Sequence, residues 1–455
     1  MKTAISKAAW LLAAALVQPV WSQELSLAEV WHRAAGHDYA WQAAEQAHLA
    51  AAAKREQAQA VWRPSVVAGG TAGIGSASTH TSGAQFSTPS FGTQSGVNFN
   101  TSVNNGSVVR WQLGVQQPLY DRDKRAAGKQ LRLAADMGDL GWEAAQSDLR
   151  LQLAREYLDL ALAQQKVNLL QRQLVAVKRA QAEAKERFRV GEASIIDQRE
   201  ADAMLGGIQA ELSAAKWQRD SQQRLLADRT GMPDIRVRFN PAQKDALRAD
   251  GSQWSEQLLK QTNTRIALQQ AAVRMAETEV DKNGPLAGSS VNLVAQAAGE
   301  RISGSGDYGD ATNKSRQNMI GIQVQVPLYA GGMFSAKRKE AGYQLGKAHA
   351  ELADAEQTVG RQWRDLKTGL NADTERIAAL RQALEASNLR LDATRVGREA
   401  GERTTLDVLN AENDYTAASL KLAQARADWV MHRLQQAAMV NRLDEELLRS
   451  LGLGN

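Results

Sequence analysis

The residue types that most often carry catalysis or bind metals are sparse in this chain of 455 residues. Cysteine is absent, which excludes disulfides, cysteine-based metal sites and a cysteine nucleophile. The six histidines show no spacing typical of metal ligands. No nucleophile elbow or Walker loop occurs, and residues 304–309 match the GxGxxG pattern where a strand rather than a helix is predicted to follow. The sequence therefore predicts no enzyme, no metal site and no cofactor.

A more informative pattern is a set of short motifs that occur twice. Each recurs after 209 or 210 residues, and this nearly constant offset indicates an internal two-fold sequence repeat. The matched segments are 117–120 and 326–329, 190–192 and 400–402, and 196–197 and 406–407. We therefore predict one repeat at 23–230 and another at 251–445, with a linker or small extra (equatorial) layer at 231–250 and a C-terminal tail at 446–455.

Each repeat has the same predicted order of elements: a helix, two strands, a very long helix and a shorter helix. The predicted helices cover residues 39–62, 122–190 and 194–228, and then 265–282, 333–400 and 404–441. About 65 residues at a rise of 1.5 Å make each long helix roughly 100 Å long, far beyond a globular core. Apolar residues in the first long helix alternate at spacings of three and four, which is a coiled-coil seam. They are Leu160, Ala163, Val167, Leu170, Leu174 and Val177.

The segments between the helices alternate with a period of two, as in Trp111 and Gln112, which face opposite ways on a strand. The predicted strands lie at about 65–75, 108–117, 290–298 and 318–326, with polar loops at 76–106 and 301–313. Strands of about ten residues with one apolar face are typical of outer-membrane barrels, and a half-buried strand of a soluble sandwich has the same local pattern. The loops, rich in Ser, Thr, Gly and Asn, favour a barrel mouth.

Four of the eight prolines lie at the predicted helix–strand junctions. They are Pro64, Pro118, Pro285 and Pro327. Proline cannot continue a helix and pushes the residue before it towards extended geometry. These prolines therefore mark the places where helix is expected to become strand.

Residues 1–22 have the pattern of a secretory signal peptide. Lys2 and Lys7 give a positive start before an apolar run at 8–17, and Pro19 follows that run. Small residues near position 22 permit cleavage after Ser22. No other stretch approaches 18 apolar residues, so no transmembrane helix is predicted in the mature chain. Removal of both lysines leaves 53 basic against 50 acidic residues. That small excess, without a basic patch interleaved with aromatics, argues against nucleic acid as a partner.

The sequence resembles the TolC family of outer-membrane export ducts over nearly the whole mature chain. The motifs are Gln-Pro-Leu-Tyr at 117–120, Arg-Phe-Arg-Val-Gly at 187–191 with Ile-Asp at 196–197, and Gly-Glu-Arg-Thr at 401–404 with Leu-Asp-Val-Leu-Asn-Ala at 406–411. The resemblance implies a mainly α protein with a membrane β-barrel: a homotrimer in which four strands per chain complete one twelve-strand barrel. A long antiparallel coiled-coil helical barrel would project into the periplasm. Assembly also follows from physics, because four strands cannot close a barrel and lipid does not tolerate open strand edges.

The resemblance also implies a function, passive exit through the outer membrane for the substrates of a tripartite export system. The expected partners are outer-membrane lipid, a periplasmic adaptor (membrane fusion) protein and an inner-membrane ABC or proton-driven pump. The missing lipid-bearing cysteine and the TolC-type motifs favour type I protein secretion, with multidrug efflux left open. A trimeric coiled-coil adhesin or structural envelope protein is the alternative, but the duplicated order of helices and strands argues against it.

Candidate gate residues come from the same resemblance. By motif position, Asp197 and Arg403 would form a polar contact between helix pairs at the periplasmic tip, and Asp407 would form a ring of three carboxylates around the threefold axis. Three like charges at a constriction repel one another and favour bound cations. Two departures, Asn410 in place of a second acid and Arg398 in place of a gate tyrosine, imply a weaker ring and rearranged closed-state contacts. The alternative is that the three charged residues are solvated helix-end charges.

Overall fold

The computed structural model describes residues 24–192, 194–238, 254–306 and 309–454. The predicted signal peptide and most of the predicted linker at 231–250 lie outside these residues. The chain divides into two compact units, and each unit draws on both halves of the sequence. The first unit contains Met1–Leu49, Asp139–Gln269 and Leu352–Asn455, and the second contains Ala50–Gly138 and Gln270–Glu351.

The described elements are mainly helical. The helices are α1 (Leu27–His37), α2 (Tyr39–Ala60), α3 (Arg122–Arg189), α4 (Ile195–Thr230), α5 (Glu256–Thr262), α6 (Thr264–Lys282), α7 (Met333–Glu399), α8 (Thr405–Met439) and α9 (Glu445–Ser450). The strands are β1 (Glu24–Leu25), β2 (Ser65–Thr88), β3 (Gly92–Asp121), β4 (Arg236–Val237), β5 (Ser290–Gly306) and β6 (Gly309–Gln325). Each of the six predicted helices is present, with ends within two residues of the predicted bounds.

The second unit contains a four-stranded antiparallel sheet in the order β2-β3-β5-β6. Residues directly opposite each other in neighbouring strands share a face of the sheet. The register pairs Val66 with Val115, Val115 with Ala295, and Ala295 with Ile320, so one face carries apolar residues from all four strands. These side chains are exposed in the single chain, as Ile322 is at 66%. The predicted period-two alternation is therefore confirmed, and it produces one continuous apolar surface.

The predicted polar loops at 76–106 and 301–313 are wrong, because the strands continue through them. The β2–β3 ladder runs until Thr88 lies opposite Gly92, and the β5–β6 ladder runs until Gly306 lies opposite Gly309. Backbone hydrogen bonds build an antiparallel ladder whatever the side chains, and Thr fits an exposed pleated surface well. The polar composition of these segments thus reflects side chains that are exposed on strands, and not an irregular backbone. Register shifts, such as the one between Gly75 and Ala77, absorb the irregularities.

Proline placement agrees with the prediction at three of the four positions. Pro64, Pro285 and Pro327 lie between a helix and a strand, but Pro118 lies inside β3. The ladder between β3 and β5 shifts register between Pro118 and Tyr120. Pro118 itself pairs with Asn292, and the shift leaves Leu119 unpaired. On the other side of β3 the ladder with β2 reaches only Gln116, so Pro118 lies where β3 has a neighbour on one side alone and proline is tolerated.

The long helices α3 and α7 contain 68 and 67 residues. The predicted seam on α3 is buried at five of its six positions, with Leu174 partly buried. Val167, Leu170 and Val177 pack against Ile208 and Leu212 of α4. Truncating one such leucine to alanine typically costs about 2–5 kcal/mol, so the seam is a main source of stability for this helical hairpin. None of the described helices is both long and apolar enough to cross a membrane.

The core of the first unit forms around short elements that the sequence patterns did not predict. Strands β1 and β4 pair in parallel, and β4 belongs to the segment predicted as a linker. The hydroxyl of the fully buried Tyr157 on α3 donates to the Leu25 carbonyl at 2.9 Å. The predicted C-terminal tail packs into the same core, where Leu448 is buried and the Leu27 N–H donates to the Leu453 carbonyl at 3.0 Å.

A buried charge cluster ties four helices of this unit together. Arg229 of α4 lies 2.7 Å from the Asp38 carboxylate, at the α1–α2 junction, and 2.8 Å from the Glu156 carboxylate on α3. Burial raises the pKa of Glu156, and the Arg229 charge opposes that shift. Removing one partner of a buried ion pair leaves an uncompensated charge, which commonly costs about 3–5 kcal/mol. The cluster therefore holds the α1–α2 junction against α3 and α4.

Candidate gate at the two helix turns

The predicted gate residues lie at two turns of the first unit, where α3 meets α4 and where α7 meets α8. Gly191 and Gly401 both have φ of +80°, a left-handed conformation that glycine adopts without a steric penalty. The next residue reaches back in each turn: the Glu192 N–H donates to the Arg187 carbonyl and the Glu402 N–H to the Gly397 carbonyl, both at 2.8 Å. These bonds satisfy carbonyls that the helix end would otherwise leave unpaired.

A capping box follows each glycine and starts the next helix. The Ser194 N–H donates to Oδ2 of Asp197 at 3.0 Å, and the Thr404 N–H donates to Oδ2 of Asp407 at 2.9 Å. Each aspartate N–H donates in return to the hydroxyl of the cap residue, at 3.3 Å and 3.1 Å. Two predicted gate carboxylates therefore have a structural role in the single chain: each closes the N-terminus of its own helix.

The two capping boxes use the cap hydroxyl differently, because the Ser194 hydroxyl accepts a second N–H, from Ile196 at 3.2 Å. The Thr404 hydroxyl also donates to Oδ2 of Asp407 at 2.9 Å, a contact that the other turn lacks among its described hydrogen bonds. The backbone N–H and then the hydroxyl of Thr404 lower the pKa of the Asp407 carboxyl, with a smaller contribution from the Arg403 charge. Asp407 therefore carries its negative charge more firmly than an ordinary aspartate.

Arg403 lies beside its own turn in the single chain. A Cβ added at Gly397 would lie 2.9 Å from Cγ of Arg403, so the arginine stem packs on that glycine. The described ion pairs within one chain do not join Arg403 to Asp197, and both residues are exposed. The structure thus brings Arg403 close to Asp407, and the pairing of Arg403 with Asp197 stays a prediction for the assembled protein.

Arg398 has a partner that the sequence patterns did not predict. Its Nη2 lies 3.1 Å from Oε2 of Glu183 on α3. The Thr405 hydroxyl donates to the other oxygen of the same carboxylate, Oε1, at 3.5 Å. Glu183 therefore joins α3 to the end of α7 and the start of α8. Its partners occupy positions where the first turn has apolar residues, since Phe188 corresponds to Arg398 and Ile195 to Thr405 at the offset of 210.

Further ion pairs connect α7 to α8 along their length. Arg395 lies 3.7 Å from Glu412, and Arg376 lies 3.3 Å from Asp428. Arg390 pairs with Asp414 between them. Burial raises the pKa of Glu412, and Arg395 opposes that shift. Near the turn, a cavity of about 660 Å³ between α3, α7 and α8 is lined by four arginines and three glutamates. They are Arg172, Arg179, Arg395, Arg398, Glu183, Glu399 and Glu412.

The remaining predicted position, Asn410, lies on an exposed face of α8, three residues after Asp407. The chemistry of the site is that of charge and hydrogen bonding. Among the residues that the structure describes, no group of three or more His, Cys, Asp or Glu side chains could hold a metal ion. The arrangement is suited to holding α3, α7 and α8 together by ion pairs and hydrogen bonds that can break and re-form with other partners.

Comparison with known families identifies the family of this chain. The family model described as "Outer membrane efflux protein" matches residues 30–232 and 256–441, which together are most of the chain. The chain belongs to the outer membrane efflux protein family. The resemblance to TolC-type ducts is therefore confirmed.

Curated relatives and a solved structure agree with this family. Outer membrane protein TolC of Vibrio cholerae is 25% identical over 378 residues, 80% of this chain and 85% of that protein. Proteases secretion protein PrtF of Dickeya chrysanthemi is 26% identical over 392 residues, 85% and 84% of the two chains. The crystal structure of the Campylobacter jejuni CmeC outer membrane channel matches with a TM-score of 0.69 at 13% identity, over 94% of this chain and 90% of that one. The structural match supports the fold alone.

Membership of this outer membrane efflux protein family also assigns the class and location of the molecule. The family is one of channel proteins. The predicted location, the outer membrane with a helical tunnel in the periplasm, is confirmed. The sequence did contain a signal for the missed residue Glu183: Phe188 and Ile195 of the first repeat correspond to Arg398 and Thr405 of the second, so a polar contact is expected there in place of an apolar one.

Proposed function

We propose that three copies of this outer membrane efflux protein form a channel-tunnel that gives passive exit to the substrates of a tripartite export system. The observation that carries the proposal is the pair of strand edges that the chain leaves open. Within the described sheet, β2 and β6 each have one neighbouring strand. Open edges are not stable in lipid, so both must pair with other copies of the chain.

The two faces of the sheet support a barrel with a water-filled lumen. The face opposite the apolar one carries polar residues, among them Gln112, Gln116, Gln296 and Gln323. In an outer-membrane barrel the apolar face contacts lipid and the polar face lines the interior. Twelve strands from three chains enclose an aqueous channel rather than a packed core. The family membership is consistent with this arrangement.

The duplicated order of elements supports a common origin for the two halves. Helix α2, strands β2 and β3 and helices α3 and α4 are followed by α6, β5, β6, α7 and α8 in the same order. We infer an internal duplication from this order, from the repeated motifs and from the two segments of the family match. An even number of strands then puts both chain ends on the periplasmic side.

The names of relatives support the class of cargo that we propose. PrtF of Dickeya chrysanthemi and AprF of Pseudomonas aeruginosa are named as protease secretion proteins, and BepC of Brucella suis as an efflux protein. We infer type I protein secretion, multidrug efflux or both for this chain. The partners would be a periplasmic adaptor protein and an inner-membrane ABC or proton-driven pump.

The gate belongs to the same proposal. In the trimer, Asp197 and Arg403 would pair between helix pairs, and three copies of Asp407 would face the threefold axis. Arg398, held by Glu183, would replace an aromatic contact, and Asn410 would leave the ring with one carboxylate per chain. One exposed pair contributes about 0.2–1 kcal/mol, so three pairs can bias opening without determining whether the protein folds.

Two measurements test this proposed function. The mass of the purified protein in detergent should be that of a trimer, and the trimer should conduct ions in planar bilayers. Proteases added to intact cells should cut only at the ends of the β2–β3 and β5–β6 hairpins. A folded monomer in detergent, or cleavage within α3 in intact cells, would contradict the assembly or the topology.

A further inference from the structure

A basic pocket lies in the second unit at the place where β3 ends and α3 begins. Its volume is about 280 Å³. Four cations and one carboxylate line it, together with an aromatic ring. They are Arg122, Arg125, Lys129, Lys282, Asp281 and Tyr120. The lining therefore carries an excess of positive charge that the gate does not use.

The ring of Tyr120 orients this pocket relative to the sheet. Tyr120 lies opposite Val291, and Val291 lies opposite Val324, so all three share the apolar face. Tyr120 is the last residue of that face on β3 before the helix begins, and tyrosine rings favour the boundary between lipid and water. The guanidinium of Arg125 lies 5.8 Å from the centroid of the Tyr120 ring. The pocket thus opens beside the edge of the lipid-facing surface.

Two of the four cations have structural partners and two remain available. Nη2 of Arg122 donates to the Asp281 carbonyl at 2.7 Å, and Lys282 lies 3.2 Å from Glu279. In the described part of the chain, Arg125 and Lys129 form no ion pair, and both are exposed. A negatively charged ligand in the pocket would therefore meet two cations that have no ion-pair partner, beside an Arg122 side chain that its hydrogen bonds hold in place.

We propose that this pocket binds the phosphate of an anionic phospholipid from the leaflet that faces the periplasm. Arg125 and Lys129 supply charge-assisted hydrogen bonds to the phosphate oxygens. Tyr120 lies beside the glycerol and upper acyl chain, where its ring is apolar and its hydroxyl is wet. The inference rests on the proposed function, because it requires the apolar face of the sheet to contact lipid. Such a contact would fix the depth of the barrel in the membrane.

The second repeat provides a matched control. Position 329 is again a tyrosine, but the position that corresponds to Arg125 at the same offset of 209 is Phe334. Lys337 and Lys339 supply exposed charge in the first turns of α7 without lining the pocket. Neutralising them removes the same charge as neutralising Arg125 and Lys129, and it leaves the pocket intact.

The test is binding of phosphatidylglycerol and phosphatidylcholine to the purified full-length protein in detergent, measured by native mass spectrometry. The double variant Arg125→Gln/Lys129→Gln should bind phosphatidylglycerol about tenfold more weakly than the unmodified protein. The double variant Lys337→Gln/Lys339→Gln should bind it as the unmodified protein does. Phosphatidylcholine should bind weakly to all three, and an excess of inorganic phosphate should not displace bound phosphatidylglycerol.

Equal losses in both double variants would overturn the proposal, because the effect would then be diffuse charge. Displacement by inorganic phosphate would overturn the lipid assignment and make free phosphate the ligand. Trimer mass and single-channel conductance are recorded on the same preparations and should be unchanged in both variants. An unmodified protein that is monomeric or does not conduct would refute the proposed function instead, so the two failures are distinguishable.

Discussion

The turns at Gly191 and Gly401 have the same backbone and different side-chain surroundings. Around Gly191 several large apolar side chains are exposed, among them Ile196 at 64%. The ion pairs there are local: Arg189 lies 2.5 Å from Glu186, three residues away, and Arg187 lies 4.0 Å from Glu192. Around Gly401 the arginines contact carboxylates on other helices instead.

This difference distinguishes local contacts, which stabilise the turn itself, from contacts between helices, which a gate could make and break. A local pair such as Arg189 with Glu186 keeps its geometry when one helix moves against another. A pair such as Arg398 with Glu183 breaks when α7 moves away from α3, so its energy depends on the state of the tip. The glycines and capping boxes are therefore structural at both turns. In the gate that we propose, the interhelical contacts of the second turn are the ones that would differ between the open and closed states.

Gly191→Ala and Gly401→Ala should give the largest effect, and it should be the same at both turns. A left-handed conformation costs a residue with a Cβ about 1–2 kcal/mol. Hydrogen exchange at the turn amides should accelerate accordingly. Gly346→Ala, on an exposed stretch of α7 with nothing near its missing Cβ, is the control and should stabilise. Unequal effects at the two turns would mean that the surrounding side chains, and not the backbone, hold them.

Ser194→Ala and Thr404→Ala should come next, at about 1 kcal/mol each. The second should cost more, since one of the two hydrogen bonds of the Thr404 hydroxyl goes to a carboxylate, whereas both of those of the Ser194 hydroxyl come from backbone N–H groups. Hydrogen exchange in the first turns of α4 and α8 is the readout. Ser213→Ala, whose hydroxyl bonds the Gln209 carbonyl within α4, is the control and should change little. A larger cost at Ser194 would reverse the comparison.

Arg403→Ser should raise single-channel conductance in planar bilayers and leave trimer stability nearly unchanged. Its exposed contact is worth about 0.2–1 kcal/mol, enough to shift a gate but not the fold. Arg187→Ser removes an arginine whose partner, Glu192, lies in the same turn, so its conductance should match that of the unmodified protein. If both variants conduct alike, Arg403 has no part in closing the tip and is a solvated helix-end charge.

Acid pH should produce the smallest effect, confined to the second capping box. The Thr404 hydrogen bonds lower the pKa of Asp407 below its ordinary 3.8. An acid whose pKa is lower when folded stabilises the folded state above its unfolded pKa, and this contribution is lost as pH falls through the folded pKa. Amide protection at the start of α8 should be constant above about pH 5 and decline below pH 3.8. In Asp407→Asn this decline should disappear, and its persistence would point to another group.

The sequence predicted the elements that depend on local rules. The long helices, the seam from Leu160 to Val177 and the glycine turns follow from periodicity and from backbone chemistry within a few residues. The strand ends near Thr88 and Gly306 were missed because Ser- and Gly-rich segments were interpreted as loops. The backbone of these segments pairs with a neighbouring strand, and amino-acid composition does not indicate whether such a neighbour is present.

Contacts between distant segments were the other gap. Asp38, Glu156 and Arg229 are separated by more than 70 residues each, and no spacing rule links them. Asp197, Arg403 and Asp407 were found through motifs, but the motif did not reveal that both aspartates cap helices. Glu183 was missed because its partners lie more than 200 residues away. Such pairs depend on how whole helices pack against one another, and the spacing of residues within one segment does not determine that packing.

The most direct test of a gate at the second turn is a charge swap between α7 and α3, followed by single-channel recording in planar bilayers. Arg398→Glu should raise conductance, because it places two carboxylates together where an ion pair of 3.1 Å held the helices. Arg398→Glu combined with Glu183→Arg restores opposite charges and should return conductance to that of the unmodified trimer. Arg189→Glu, at the first turn, should leave it unchanged. Unaltered conductance in Arg398→Glu, or no recovery in the swap, would contradict the account.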